Sequence, residues 1–222
     1  MLFRSRARYA EFVTTKDAIT TDGSQLTHAL ALVTGYAPPA VVPELQNALR
    51  DESLLVPEMY MQHFVFRALA DAGCYDTIRE RLRRYWEPMT EGAGSPTIWE
   101  ANVYEHGKTA LGESGSLCHG FACTPIETMQ ALILGVTPLA DGYKTFRVAP
   151  QPLGCTFASG TIPTPHGTIA VSWTEQGAVG KSPQLLLHLT VPDGCTAIVP
   201  SCGTDNHYAG GDHSIHIADV SS

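Results

Sequence analysis

The sequence predicts an α+β fold with helices first and strands second. Three observations carry this. Apolar residues recur at helical spacing up to about residue 137 and alternate after Pro138. Gly and Pro close the helical stretches, and Pro/Gly/Asp clusters separate the alternating ones. Helical and strand patterns are segregated along the chain, which excludes a parallel βαβ arrangement. No self-similar repeat of ~20–50 residues is present.

In the first part, Ser24 is a cap candidate before a stripe of Leu26, Leu30 and Val33 with Ala29 beside them; Gly35 ends this helix and Pro38-Pro39 forbids its continuation. Pro43 starts a short helix through Leu45 and Leu49. Between Pro57 and Gly73, Met61, Phe64, Val65, Ala68 and Leu69 share one helical face. Asp76 can cap a further helix holding Ile78, Leu82 and Tyr85, with Arg79, Arg81, Arg83 and Arg84 read as its wet side. A Gly/Ser/Pro stretch at 91–96 opens a long irregular region to about Ser116, and the last helix is expected from Gly120 to Leu134.

In the second part, residues 145–148, 155–158, 160–162, 168–173, 184–191 and 196–199 read as strands. Turns are expected at Pro165-His-Gly167, Pro192-Asp-Gly194 and Tyr208-Ala-Gly-Gly211. Short strands with regular turns suggest a small antiparallel β-sandwich. The expected division is a helical domain over 1–137 and the sandwich over 138–222.

Composition narrows the function. Apolar residues are 44% of the 222, enough for a real core, and charged residues are 16%, below the ~25% usual for soluble domains. The net charge, 14 − 22 = −8, with no basic stripe, argues against nucleic acid and anionic membrane as partners. No apolar run approaches the ~18 residues of a membrane span. No secretory signal is visible at the N-terminus, which favours the cytoplasm. The six cysteines form no CxxC or zinc-finger pattern and read as buried free thiols, with a Cys195–Cys202 bridge as the alternative in an oxidising compartment. No metal or organic cofactor is expected. Asp205, His207, Asp212, His213 and His216 cluster near the C-terminus, but on a strand His213 and His216 point to opposite faces, which spoils chelation.

The segment richest in chemistry runs from Thr97-Ile-Trp-Glu100 to Ser116-Leu-Cys-His-Gly-Phe121. Glu100 follows a tryptophan in an irregular region, and His119 opens a helix after a Gly/Ser loop. A carboxylate beside an aromatic wall suits sugar hydrolysis: the ring packs on the sugar's C–H face and the carboxylate takes a proton from water. Taken alone, such a pair is more often a core tryptophan beside a surface glutamate, and a lone histidine like His119 is more often a hydrogen-bonded structural one. Glu105, Glu113 and Glu127 are alternative carboxylates; Glu127 sits in a helix and reads as structural or solvated. Cys118-His119 is not a thiol-protease pair, because adjacent residues on a helix do not face each other. Trp173 reads as core of the strand region rather than as a sugar platform.

Five blocks in order, Thr97–Glu100, Ser116–Phe121, Ile133–Pro138, Gly142–Pro150 and Gly160–Trp173, resemble the C-terminal third of bacterial α-L-rhamnosidases of glycoside hydrolase family 78. The resemblance implies a partial (α/α)6 toroid, about half of its helices, followed by the sandwich. It implies inverting hydrolysis of terminal α-L-rhamnose, with a carboxylic acid protonating the leaving oxygen and a carboxylate ~6.5–9.5 Å away activating water. Glu100 takes the general-base role, His119 contacts the sugar and Trp99 is wall or support. The family's general acid lies in the first half of the toroid, and no matching cluster is found in residues 1–222. The partners expected are a rhamnosylated glycoside and, for an exposed apolar face on the helical half, the missing half of the enzyme or a second copy. Without that acid the isolated chain is expected to be inactive, and the competing reading is a non-catalytic remnant, either structural or carbohydrate-binding.

Overall fold

A computed structural model describes the chain outside residues 1, 6–7, 15–18, 92–96, 102, 105–107, 110–114, 178–183 and 219–222; in β1–β5 and at residue 91 it describes the backbone alone. The backbone forms two compact units, Met1–Pro125 and Ile126–Ser222. No helix among the described residues is long and apolar enough to cross a membrane.

The first unit opens with strands where no element was expected. β1 (Leu2–Ser5), β2 (Arg8–Thr14) and β3 (Ile19–Asp22) form an antiparallel three-stranded sheet. Helices α1 (Gln25–Val33), α2 (Val42–Ala48), α3 (Gln62–Asp71), α4 (Tyr75–Tyr85) and α5 (Glu87–Glu91) follow. Two short strands, β4 (Val103–Tyr104) and β5 (Lys108–Thr109), pair near the end of this unit.

Ser24 caps α1, its hydroxyl accepting from the Leu26 N–H at 3.2 Å, and Gly35 leaves the helix at φ +67°. The buried face of α1 is not the leucine stripe. Gln25, Thr27, His28, Ala29 and Ala31 are buried, while Leu26, Leu30 and Val33 are only half-buried. Gln25 turns inward because a cation waits for it. Arg81 of α4, expected on the wet side, is 7% exposed and bonds to Gln25, Gln62 and the Leu49 carbonyl. The start of α4 also differs: Cys74 is the N-cap, and Asp76 sits within the first turn, paired with Arg79 at 3.0 Å. α3 buries Val65, Ala68 and Leu69 as its period requires, with Phe66 and Gln62 added.

The second unit begins in α6 (Thr124–Thr128), whose last turns widen to a π-helix over Met129–Ile133. β6 (Val136–Pro138), β7 (Thr145–Val148), β8 (Phe157–Thr164), β9 (Gly167–Gln176), β10 (Gln184–Ser201) and β11 (Thr204–Ile217) then make one six-stranded sheet. The Pro165-His-Gly167 turn joins β8 to β9 as read, with Gly167 at φ +123°. The other two expected turns lie inside long strands. At Pro192-Asp-Gly194 the chain bends but keeps pairing with β11: residues 192–195 stand against the single Gly210. A Cβ on Gly210 would lie 3.0 Å from the Asp193 Cα, so glycine permits the close crossing.

The bend explains why the expected antiparallel sandwich takes the form of one curled sheet. Before it, β10 pairs antiparallel with β9; after it, the same strand pairs parallel with β7. Among the described residues this is one continuous ladder. Val171, Trp173, Leu187, Leu189 and Phe146 fill its core, and the Trp173 indole donates to the Ile133 carbonyl at 2.7 Å. Gly135, at φ +76°, precedes β6, and a Cβ there would lie 2.3 Å from the Pro150 backbone nitrogen. Gly135→Ala is expected to destabilise this unit by about 2–3 kcal/mol, since backbone rather than a flexible side chain must move. Its urea midpoint checks this; a shift below about 0.5 kcal/mol would show the loop yields freely.

Candidate active site around Glu100

Two irregular segments of the first unit, 97–101 and 115–119, are laced together. The Glu100 N–H donates to the Ser116 carbonyl at 3.0 Å and the His119 N–H to the Ile98 carbonyl at 2.8 Å. The Thr97 hydroxyl donates to the Leu117 carbonyl. Ser116 holds its own turn, its hydroxyl donating to the Cys118 carbonyl at 3.0 Å and accepting from the Cys118 N–H at 3.2 Å. The Trp86 indole Nε1–H donates to the Ala122 carbonyl at 2.8 Å and anchors the following short 3-10 turn, Gly120–Ala122.

The lacing brings Glu100 and His119 together. Glu100 Oε2 lies 3.6 Å from His119 Nδ1 and accepts the Ser116 N–H at 3.1 Å. Among the described residues, Glu100 Oε1 has no hydrogen-bond partner. The side chains are 32% and 27% exposed, so both reach solvent without lying flat on it. A carboxylate with one oxygen fixed by a backbone N–H and the other open is oriented to accept a proton from water.

Trp99 stands beneath this pair rather than beside it. It is 1% exposed, and its backbone N–H donates to Met89 Sδ at 3.4 Å, so it supports the segment and offers no wall to a ligand. The exposed aromatic surface comes from two residues to which the sequence reading gave no role. Phe121 meets the His119 ring edge-on at 4.3 Å and lies 5.1 Å from Tyr60, and both Phe121 and Tyr60 are exposed. Phe121 lay within the singled-out segment as part of the His-Gly-Phe triplet; Tyr60 carried no local signal.

Of the alternative carboxylates, Glu105 and Glu113 lie outside the described residues, and Glu127 is exposed on α6. Both Asp205 carboxylate oxygens accept from Arg147 at 3.2 Å, His213 Nε2 is 2.8 Å from the Ala209 carbonyl, and His213 and His216 face opposite sides of β11. The six cysteines are free thiols; Cys195 is buried and Cys202 exposed, without a bridge between them.

Residues 135–216 match the family model of the bacterial α-L-rhamnosidase C-terminal domain. An α-L-rhamnosidase of Formosa agariphila is 35% identical over 116 residues, covering 51% of this chain and 12% of that protein. One from Alteromonas sp. is 38% identical over 115 residues, 48% of this chain and again 12% of the relative. The chain resembles the α-L-rhamnosidases of glycoside hydrolase family 78. A crystal structure of a family 78 rhamnosidase from Bacillus sp. GL1 superposes with a TM-score of 0.73 at 26% identity, over 88% of this chain and 20% of that one. The native α-L-rhamnosidase of Aspergillus terreus shares the fold at 19% identity, with a TM-score of 0.72 over 93% of this chain and 25% of its own. This chain thus corresponds to a quarter or less of the rhamnosidases it matches.

Proposed function

We propose that the chain carries the water-activating half of an inverting α-L-rhamnosidase site. Glu100 is the general base, His119 contacts the sugar, and Trp99 holds both segments from below. The 3.6 Å approach of Glu100 and His119 on an open surface carries this reading. Phe121 and Tyr60 supply the apolar face against which the sugar's C–H groups and C6 methyl pack. The general acid is assigned to a part of the enzyme outside residues 1–222. The helices over 1–137 are read as the back half of an (α/α)6 toroid and residues 138–222 as the accessory β domain. Exposed Tyr36, Leu55 and Leu117 give the first unit apolar surface for the rest of a toroid or a second copy.

Binding tests this without requiring turnover. Titration with methyl α-L-rhamnoside is expected to shift the amides of Glu100, Ser116, His119 and Phe121, with saturation. His119→Ala is expected to weaken binding about tenfold, the worth of one charge-assisted or buried hydrogen bond. Saturable shifts that leave these four amides unmoved would overturn the assignment.

A further inference from the structure

We propose that the outer face of the curled sheet is a second, non-catalytic site for a neutral saccharide, independent of the Glu100 reading. Register builds this face. β8, β9, β10 and β11 lie side by side, and Ser159, Ser172 and His188 stand directly opposite one another on the first three. Two residues along, Thr190 of β10 faces Asp212 of β11. Their strand neighbours Val171, Leu187 and Leu189 point the other way into the core, so alternation forces this set outward. Together they line a shallow cavity of about 390 Å³.

The chemistry of the lining selects the ligand. It offers short hydroxyls, imidazole and one carboxylate, and no Lys or Arg lines the cavity. Phosphate, sulfate and polyanions therefore have no counter-charge there. Groups on neighbouring strands stand about 4.8 Å apart, close to the width of one sugar ring. The Thr190 hydroxyl donates to Asp212 Oδ1 at 2.6 Å, fixing a carboxylate whose Oδ2 is open, among the described residues, to accept sugar hydroxyls. Phe157, 69% exposed, precedes Ser159 by two residues and so shares the face. It flanks the cavity rather than lining it, at the position where a bound ring extending along β8 would find an apolar platform for its C–H face. Hydrogen-bonding groups at ring spacing, one oriented carboxylate and an exposed aromatic ring beside them fit a neutral polyhydroxylated ring better than an anion.

The test is amide-shift titration of the intact chain with methyl α-L-rhamnoside, maltotriose and inorganic phosphate in turn. Saturable shifts centred on Ser159, Ser172, His188, Thr190 and Asp212 are expected with at least one of the two sugars, and none there with phosphate. His188→Ala and Phe157→Ala are each expected to weaken that binding about tenfold. Both remove exposed side chains, so the melting temperature should hold. The proposal is overturned by sugar shifts confined to Glu100 and His119, by no saturable shift with either sugar, by phosphate binding in the groove, or by affinity unchanged in both variants.

Discussion

Arg81→Leu is expected to cost the helical unit about 3–5 kcal/mol, because it strips the donors from three buried oxygens. Arg81 Nη2 donates to Gln25 Oε1 and to the Leu49 carbonyl, each at 2.7 Å, and Nη1 donates to Gln62 Oε1 at 3.0 Å. Gln25 and Gln62 are themselves fully buried, and their amides donate onward to the Asp51 and Pro57 carbonyls at 3.0 and 2.8 Å. One guanidinium thus ties α1, the end of α2, α3 and α4 together. Burial pulls its pKa below the ordinary arginine value, with nearby Tyr85 and Glu52 opposing that pull. Leucine would fill the space and leave three buried oxygens without donors, each worth about 1–3 kcal/mol. Arg81→Lys keeps the charge but loses the fork, so it should fall between wild type and leucine. Urea denaturation measures this. A loss under about 1 kcal/mol for leucine would mean that water or side-chain rearrangement satisfies those oxygens.

The same residue shows where sequence reading fails. Arg81 lies three positions after Ile78, on its helical face, so the period placed it inward. Its membership in an arginine-rich run placed it outward. Composition prevailed in the reading, and in the structure the period prevails because Gln25 and Gln62, from helices far apart in sequence, supply the acceptors. The inward turn of Gln25 on α1 has the same source, whereas His28 bonds back to the Ser24 carbonyl. Pro192-Asp-Gly194 misled in another way. Those residues do bend the chain, but a bend ends a strand only if pairing stops, and pairing is a property of the partner strand. The strands with local alternation, Thr145–Val148 and Gly167–Gln176, were legible.

The site was legible only in part. Nothing in the spacing of Glu100 and His119 brings them together. Their proximity depends on backbone bonds between two irregular segments, and irregular backbone has no period to read. The order of motif blocks pointed to both residues. It could not show that Trp99 would be covered, nor that Phe121 would be joined by Tyr60 from the turn before α3.

Glu100→Gln should abolish water activation while sparing the fold. The amide is nearly isosteric, and its oxygen can still accept the Ser116 N–H, so the melting temperature should hold. On the proposed role, what is lost is the group that takes the proton, which general-base catalysis values at about 10²–10⁴-fold in rate. The assay should use 4-nitrophenyl α-L-rhamnoside. Its activated leaving group departs without being protonated, so dependence on the base is visible even where the general acid is not supplied. The chain is then expected to hydrolyse the nitrophenyl glycoside and not an alkyl rhamnoside, with Glu100→Gln removing the first activity. A variant within threefold of wild-type turnover would move the base elsewhere. Rhamnose binding with no turnover of either substrate would instead favour the sugar-binding remnant, because the pocket would recognise the ring without directing water at it.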